Sequence, residues 1–188
     1  MPRKCIAGLF TSIDGVVEAP NLFQGDAFDD KLGELIGQSL QSVDDVVLGR
    51  VSYIEWAEYW PGNDDDFGAF INPVRKHVAS RTLTGPLEWN NSTLIEGDLV
   101  EFVRALKQTD GGDIAVNGSI SVVRQLFLAG VIDELLLTVH PVIAGSGLRH
   151  LFTPDEAQTR LRLLSADTTP SGNAVLTYAL RDEPAAHR

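Results

Sequence analysis

Apolar positions along this chain recur with two spacings, one typical of buried strands and one typical of helices. Short apolar runs predict strands over residues 4–11, 45–48, 76–79, 92–95, 113–117 and 134–139. Apolar residues at helical spacing start from Asp29, Arg50, Asp98 and Ile120. A helix that connects two strands predicts parallel pairing, so we expect residues 134–139 to lie parallel to residues 113–117.

The end of the chain has a different pattern. Residues 161–166 and 174–180 alternate apolar and polar positions around a turn at residues 170–173, which predicts an antiparallel hairpin. Asp98 and Glu101 form a capping-box pair for one helix, and a glycine closes the helix that begins at Ile120. The whole pattern predicts a three-layer α/β domain with a mixed, mostly parallel sheet of about eight strands and helices on both faces.

Composition supports a single domain over residues 1–188. The chain is 44% hydrophobic, and no linker rich in proline, glycine or serine divides it. No apolar run approaches the roughly 20 residues of a membrane span, and the segment after Met1 is too short for a signal peptide, so we predict a soluble, cytoplasmic protein. Cys5 is the only cysteine and cannot form an internal disulfide, and we interpret it as a buried thiol.

Charge and motif content exclude several classes of function. The formal net charge of -11 argues against nucleic acid or an anionic membrane as a partner, but leaves room for an anionic small molecule in a local basic pocket. The four histidines, among them His140 and His187, lack metal-ligand spacing, and the acidic run at residues 64–66 is interpreted as a loop without the features of a calcium site. We therefore predict no metal, and we interpret His140 as a structural residue at a strand end.

Three junctions at strand ends carry the strongest indication of chemistry. Gly49-Arg50-Val-Ser52, Ser80-Arg81-Thr82 and Asn117-Gly118-Ser119 each follow a predicted strand, and the last opens into a helix at Ile120. Ligands of open α/β sheets bind beyond the carboxyl ends of the strands, and a helix start binds anions through its free N–H groups. Several such junctions at one end of a sheet favour a ligand with several phosphates, such as a dinucleotide.

The Ser80-Arg81-Thr82 junction is the most specific of the three. A guanidinium between two hydroxyls can hold a phosphate monoester, and the 2'-phosphate of NADPH is such a group. Each junction also has a plainer interpretation. Arg81 could be a solvated arginine, Arg50 an exposed residue at a helix start, and Asn117-Gly118-Ser119 a turn with a serine cap.

Six motifs taken together resemble one known family. They are Thr11-Ser-Ile-Asp-Gly15, Leu48-Gly-Arg-Val-Ser-Tyr53, Val78-Ala-Ser-Arg-Thr82, Trp89-Asn-Asn-Ser92, Asp113 to Ser119, and Ile132-Asp-Glu-Leu with His140-Pro-Val-Ile-Ala-Gly-Ser-Gly147. The chain resembles, over residues 3–181, the dihydrofolate-reductase-like family that includes the reductase domain of the bifunctional riboflavin-biosynthesis deaminase-reductase. This resemblance implies a dihydrofolate-reductase-like fold and NADPH as cofactor.

The resemblance also implies which residues bind the cofactor. Those implied at the pyrophosphate are Gly49, Arg50, Ser52, Gly118, Ser119 and Ile120, with Asn117 beside them; those implied around the adenosine phosphate are Ser80, Arg81 and Thr82. The family often has two glycines where this chain has Gly118-Ser119. The loop at residues 12–15 would cover the nicotinamide, and the turn Gly145-Ser146-Gly147 would line the opposite side of that pocket.

A proton donor is the least defined part of the predicted site. The resemblance implies hydride transfer from NADPH to a C=N or C=O carbon of a small heterocyclic or sugar-like substrate. Dihydrofolate reductases use a carboxylate at the start of the first helix, and Asp26, Asp29 and Asp30 of this chain all lie near that point, so Asp30 is one candidate. Asp14 is the other candidate, and an equal alternative is that it orders its loop. Arg149 is a candidate anchor for a substrate phosphate, or else a solvent-facing arginine.

Three functions remain open at this point. The chain could reduce a ribosylamino-pyrimidine, as the 5-amino-6-(5-phosphoribosylamino)uracil reductases do, or act as a dihydrofolate reductase. It could also bind NADPH or a flavin without turnover. The resemblance implies a homodimer, with residues 135–137 and the terminal hairpin as a candidate interface, although a buried core strand explains the same leucines.

Overall fold

The computed structural model describes residues 3–181. The strands are β1 (Cys5–Thr11), β2 (Val43–Gly49), β3 (Arg75–Ala79), β4 (Ser92–Leu94), β5 (Asp113–Val116), β6 (Glu134–Val139), β7 (Leu161–Thr168) and β8 (Ala174–Leu180). The helices are α1 (Asp30–Leu40), α2 (Arg50–Tyr59), α3 (Asp66–Ile71), α4 (Leu99–Leu106) and α5 (Ile120–Leu128), and a short 3-10 helix covers Pro20–Leu22. The predicted domain spans residues 1–188, so it extends beyond the described residues at both ends. His187 also lies outside them.

The strands form one eight-stranded sheet in the order β4-β3-β2-β5-β1-β6-β8-β7. All pairs from β4 to β6 are parallel, and β8 pairs antiparallel with both β6 and β7, which confirms the mixed sheet and the terminal hairpin. Strand β6 runs parallel to β5 as expected, but β1 lies between them and pairs with both. The carboxyl ends of six parallel strands therefore meet at one end of the sheet.

Helices cover both faces of the sheet, as predicted. On one face, α4 and α5 bury Val103 and Phe127 against apolar residues of β1 and β5 such as Ala7 and Val116. On the other face, α2 and α3 bury Tyr53 and other apolar residues against β2 and β3. Burial on both faces explains why the central strands are nearly continuous apolar runs.

One short helix was not predicted. The acidic run at residues 64–66, interpreted as a loop, leads into α3: Asp66 is the first residue of the helix, and the carboxylate of Asp65 accepts a hydrogen bond of 2.7 Å from the backbone N–H of Gly68. Phe67 and Ile71 follow at helical spacing. The same kind of cap begins α4, where Asp98 bonds the N–H of Glu101. The Glu101 carboxylate does not complete the predicted capping box, because it pairs with Arg104.

A buried charge network closes the amino end of the sheet. The carboxylate of Asp45, in β2, contacts Arg3 at 2.5 Å, His77 at 2.7 Å and Arg75 at 2.8 Å. Burial acts to raise the pKa of Asp45, but hydrogen bonds from His77 and Arg3 outweigh it and lower the pKa to about 2. The network ties the segment before β1 to β2 and β3.

A second buried charge lies next to the end of helix α3. Lys76 in β3 is fully buried, and its Nζ donates hydrogen bonds of 2.8 to 3.0 Å to the carbonyls of Ile71, Asn72 and Val74. The ammonium also lies 4.5 Å from the centroid of the Trp89 ring, which adds a cation–π contact. These carbonyls include the unsatisfied end of α3, so the lysine caps that helix from inside the protein.

The burial of Lys76 predicts a pH dependence of stability. Burial lowers its pKa from 10.5 to about 8, so the unfolded chain binds more protons between these values and the contribution of Lys76 to stability rises as the pH increases through that window. We expect the difference in the free energy of unfolding between wild type and Lys76→Met to change between pH 8 and pH 10.5 and to be constant below pH 8. Urea denaturation at several pH values measures this difference. Exposed Lys31→Met is the control, and a difference independent of pH for Lys76→Met would contradict the prediction.

Candidate functional site

Two helices begin side by side at the carboxyl end of the sheet. Strands β2 and β5 are neighbours, and β2 passes directly into α2 at Arg50 while β5 leads through a three-residue turn into α5 at Ile120. The N–H of Gly49 donates a hydrogen bond of 2.9 Å to the carbonyl of Gly118, which joins the two junctions. The predicted residues of two separate motifs are thus brought together.

Glycine is required where the junctions meet. A Cβ at Gly49 would overlap the Ser119 side chain, and a Cβ at Gly118 would lie 2.6 Å from the Ser52 hydroxyl. Gly118 has φ of +96°, and the peptide bond between Gly118 and Ser119 is cis. The junctions are therefore packed backbone to backbone, with the hydroxyls of Ser52 and Ser119 as the side-chain groups next to them.

These two helix starts lack the caps that the other helices have. Asp29, Asp65 and Asp98 each cap a helix through a carboxylate that bonds a first-turn N–H. At α2 and α5 the residues in this position are Gly49 and Ser119, and neither makes a side-chain cap hydrogen bond. Free N–H groups of two adjacent helices, together with the positive ends of both dipoles, favour a bound anion at this place.

Two arginines lie at the same end of the sheet. Arg50 is the first residue of α2, and Arg81 follows β3, the strand on the other side of β2. Both are exposed, and neither has an ion-pair partner within residues 3–181. The hydroxyl of Ser80 accepts hydrogen bonds from the N–H groups of Thr82 and Leu83, which fixes the turn that carries Arg81. The three predicted junctions occupy consecutive strand ends in the order β3, β2, β5.

Asp14 joins two loops on the other side of the site. Its carboxylate oxygens accept hydrogen bonds of 2.9 Å from the N–H groups of Ala144 and Gly145, and the N–H of Ile13 donates to the carbonyl of Val142. Hydrogen bonds from the Ser12 side chain and these two N–H groups lower the pKa of Asp14 to about 2. The loop at residues 12–15 and the exposed turn at residues 145–147 therefore form one unit, held by an ionised carboxylate.

The start of α1 offers one occupied carboxylate and one free one. Asp29 accepts hydrogen bonds of 2.8 Å from the N–H groups of Leu32 and Ser171. Desolvation acts to raise the pKa of Asp29, but hydrogen bonds from Thr169, Ser171 and Leu32 outweigh it and lower the pKa to about 2. Asp30 is exposed and makes no side-chain hydrogen bond to any described residue. Asp30, like the exposed Asp26 in the preceding loop, is a carboxylate that has no hydrogen bond from any described residue.

One part of the sheet, at strand β1, is not covered by a helix or a side chain, and we call it the bare surface. The sequence analysis did not use this feature. Gly8 lies in the middle of β1, is exposed, and has no atom within 4 Å of the position of a Cβ. On the same face of the sheet, Phe10 contacts Phe28 with ring centroids 6.2 Å apart. A glycine inside an apolar strand often marks close approach of a ligand or backbone, and this signal was present in the sequence.

His140 is held in the core next to this bare surface. Its Nδ1 donates to the Asn173 side-chain oxygen at 2.6 Å, since the Asn173 amide nitrogen donates to the carbonyl of Ala27 and the hydroxyl of Thr169. The imidazole stacks on Phe10. His140 Nε2 and Thr138 Oγ1 are buried and have no hydrogen-bond partner among the described residues. The structural role predicted for His140 fits these contacts.

Two features are absent from the described part of the chain. Among residues 3–181, no group of three or more histidine, cysteine, aspartate or glutamate side chains could hold a metal ion. In the same range, no helix has the length and apolar character needed to cross a membrane. The thiol of Cys5 is buried, and burial raises its pKa to about 12, which leaves it unreactive at neutral pH.

Comparisons with known proteins locate this geometry in a family. YyaP of Bacillus subtilis (strain 168) is 28% identical over 185 residues, covering 94% of each chain. The deaminase and 5-amino-6-(5-phosphoribosylamino)uracil reductase of Thermotoga maritima matches with a TM-score of 0.68 and 14% identity, over 96% of this chain and 57% of that longer one. Dihydrofolate reductase from Enterococcus faecalis, complexed with NADP(H) and RAB-propyl, matches with a TM-score of 0.57 and 14% identity, over 95% and 97% of the two chains.

The structural matches confirm the dihydrofolate-reductase-like fold that the motifs implied. The sequence comparison goes further, because the model of the RibD C-terminal domain matches residues 3–175. This protein therefore belongs to the RibD C-terminal domain family.

Proposed function

We propose that this protein is an NADPH-dependent reductase that transfers hydride to a small heterocyclic or ribosylamino-pyrimidine substrate. A reductase is the activity that the family supports. The observation that carries the choice of cofactor is the pair of uncapped helix starts at Gly49 and Ser119, with Arg50 and Arg81 nearby and without an ion-pair partner in the described part of the chain. One site with several places for phosphate fits a dinucleotide better than a singly phosphorylated ligand.

The residues at the three junctions bind different parts of the cofactor. The N–H groups at the starts of α2 and α5 bind the pyrophosphate, because the glycines of the junctions leave the backbone accessible. Ser80, Arg81 and Thr82 bind the adenosine 2'-phosphate through charge-assisted hydrogen bonds. Asn117 lies between these groups and the bare strand β1. NADPH would supply the hydride, and the residues of the protein hold the cofactor and the substrate in position.

The remaining residues form the place where hydride transfer occurs. The loops held together by Asp14 cover the nicotinamide, and the exposed backbone of Gly8 gives a flat surface for a ring. Asp14 remains ionised and fully hydrogen-bonded, so it orders its loop rather than donating a proton. We assign proton transfer to Asp30, directly or through an ordered water. The Enterococcus faecalis reductase, with the same fold and NADP(H) bound, supports this assignment of cofactor.

Cofactor choice gives the first test of this proposal. We expect the protein to bind NADPH at micromolar concentration or tighter and to bind NADH far more weakly, as measured by titration calorimetry. Arg81→Ala should weaken NADPH binding by about 10-fold to 100-fold and leave NADH binding nearly unchanged, because a charge-assisted bond to the 2'-phosphate is lost.

Arg104→Ala is the matched control, since Arg104 lies in α4 and pairs with Glu101. Its NADPH affinity should equal that of the wild type. Equal losses for NADPH and NADH in Arg81→Ala would overturn the assigned contact, and absence of binding by either cofactor would overturn the reductase proposal.

Proton transfer gives the second test. With a pteridine or pyrimidine that the wild type reduces, Asp30→Asn should lower kcat by about 100-fold or more, since general acid catalysis typically contributes this much. NADPH affinity should not change. Loss of reduced-nicotinamide absorbance measures turnover, with Glu34→Gln on the same helix as control. An unchanged kcat would assign the proton to water alone.

We also propose that two copies of the chain pair through the terminal hairpin. Leu135 is fully buried and Leu137 packs against the core, which favours the terminal hairpin over residues 135–137 as the interface. Strand β7 is the open edge of the sheet, and its Leu163 and Leu164 are 52% and 40% exposed. An open apolar edge of this kind favours association.

Leu163→Lys should shift the protein from dimer to monomer in analytical ultracentrifugation, because a charge would be buried between the two edges. Ile54→Lys, at an exposed position of α2, serves as the control and should leave the mass unchanged. A wild-type monomer at high concentration would contradict this proposal.

A further inference from the structure

Charge divides the candidate site into two sides. On the side of β3, β2 and β5, Arg50 and Arg81 have no ion-pair partner within the described chain. The other side consists of residues 12–31 and 140–151, which we name the substrate-side loops. They carry five carboxylates, those of Asp14, Glu18, Asp26, Asp29 and Asp30.

The lysine and the arginine of the substrate-side loops are already paired. Arg149 binds Glu18 through Nε at 2.7 Å and through Nη2 at 2.6 Å, and its backbone N–H also donates to this carboxylate. Lys31 lies 3.2 Å from Glu34. A phosphate bound by Arg149 would therefore have to displace Glu18, on loops that carry four further carboxylates. The candidate role of Arg149 as a phosphate anchor does not fit this pairing.

The substrate-side loops also carry four exposed apolar side chains, and we name the surface that they form the mouth of these loops. Ile13, Leu22, Phe28 and Ile143 are 63%, 70%, 51% and 75% exposed, although they come from three separate segments. Backbone bonding between Ile13 and Val142, and packing of Phe28 on Phe10, hold these segments around the bare surface of β1. Exposed apolar side chains grouped around an exposed part of the sheet indicate a ligand that buries apolar area.

The polar groups beneath this mouth suit a ligand without a formal charge. The Thr138 hydroxyl and His140 Nε2 lack partners among the described residues, and a ring with N–H and C=O groups can satisfy such atoms. A phosphate ester carries about -1.5 to -2 charges at neutral pH and needs cations or several N–H donors. The lysine and the arginine of the substrate-side loops are both held in ion pairs with carboxylates of described residues, so neither is a free cation for such a group.

We infer that the substrate of this protein is a flat, uncharged ring system without a phosphate ester or a carboxylate. The inference rests on the proposed reductase function and narrows its substrate class. It separates this chain from the Thermotoga maritima protein, whose name specifies a phosphorylated pyrimidine. Phosphate recognition in this site then belongs entirely to the cofactor.

Pairs of probes that differ in charge test the inference. The first pair is 6-hydroxymethylpterin and pterin-6-carboxylate, and the second is uridine and uridine 5'-monophosphate. Each is titrated into the full chain with and without NADP⁺, and binding is measured by calorimetry. We expect at least one uncharged probe to bind, and to bind about 10-fold or more tightly than its anionic counterpart, a difference of ~1.4 kcal/mol.

A variant tests the cause of this preference. Glu18→Gln frees the Arg149 guanidinium, so we expect it to strengthen binding of the anionic probes by about 3-fold to 10-fold, within the range of an exposed ion pair, and to leave the uncharged probes unchanged. Glu101→Gln also frees an arginine, Arg104 in α4, and should change neither. If the anionic probes bind more tightly to Glu18→Gln but not to Glu101→Gln, the result supports the role of the substrate-side loops.

Three results would overturn either the inference about the substrate or the proposed function. Equal or tighter binding of the anionic probes by the wild type overturns the inference. Failure of both uncharged probes to bind also overturns it, and if NADPH still binds, the cofactor assignment stands. Failure of NADPH binding overturns the proposed function, while titrations without cofactor still decide the charge preference of the ring site.

Discussion

The approach of Gly49 to Gly118 and Ser119 leaves no space for a side chain, and the candidate site depends on this contact. Adjacent parallel strands lie about 4.8 Å apart, so two helices that follow them directly can bring their starts together only if the junctions are small. A larger residue at Gly49 would push α5 away from α2 and separate the N–H groups that now converge. The glycines thus set the distance between two positive helix ends.

The two ends of the sheet contrast in how their charges are satisfied. At the amino end, Asp45 is surrounded by Arg3, Arg75 and His77, and the network leaves nothing for a ligand. At the carboxyl end, Arg50 and Arg81 have no ion-pair partner among residues 3–181, and α2 and α5 have no side-chain cap. Charged groups at the amino end are therefore satisfied by one another, whereas the carboxyl end keeps exposed arginines and helix N–H groups that are open to a ligand.

Much of this arrangement could be predicted from local patterns. Strand and helix spacing identified all eight strands and four of the five helices, and each predicted junction lies at the carboxyl end of the sheet. The order of the strands was less accessible, because the insertion of β1 between β5 and β6 depends on pairing between distant segments. Contacts of Asp14 with Ala144 and Gly145, and of Arg149 with Glu18, are likewise long-range and leave no periodic signal. Helix α3 had a readable signal in Asp65 and the aromatic residues after it.

The central position of β1 has a consequence for how the chain folds. Ile6 pairs with Ala115 on one side and Glu134 on the other, so the first strand to be synthesised is among the last to find its neighbours. Until β5 and β6 have left the ribosome, this apolar strand has two unpaired edges and is exposed to aggregation. The strand whose Gly8 backbone stays exposed in the folded protein is thus the strand that waits longest for its neighbours during synthesis.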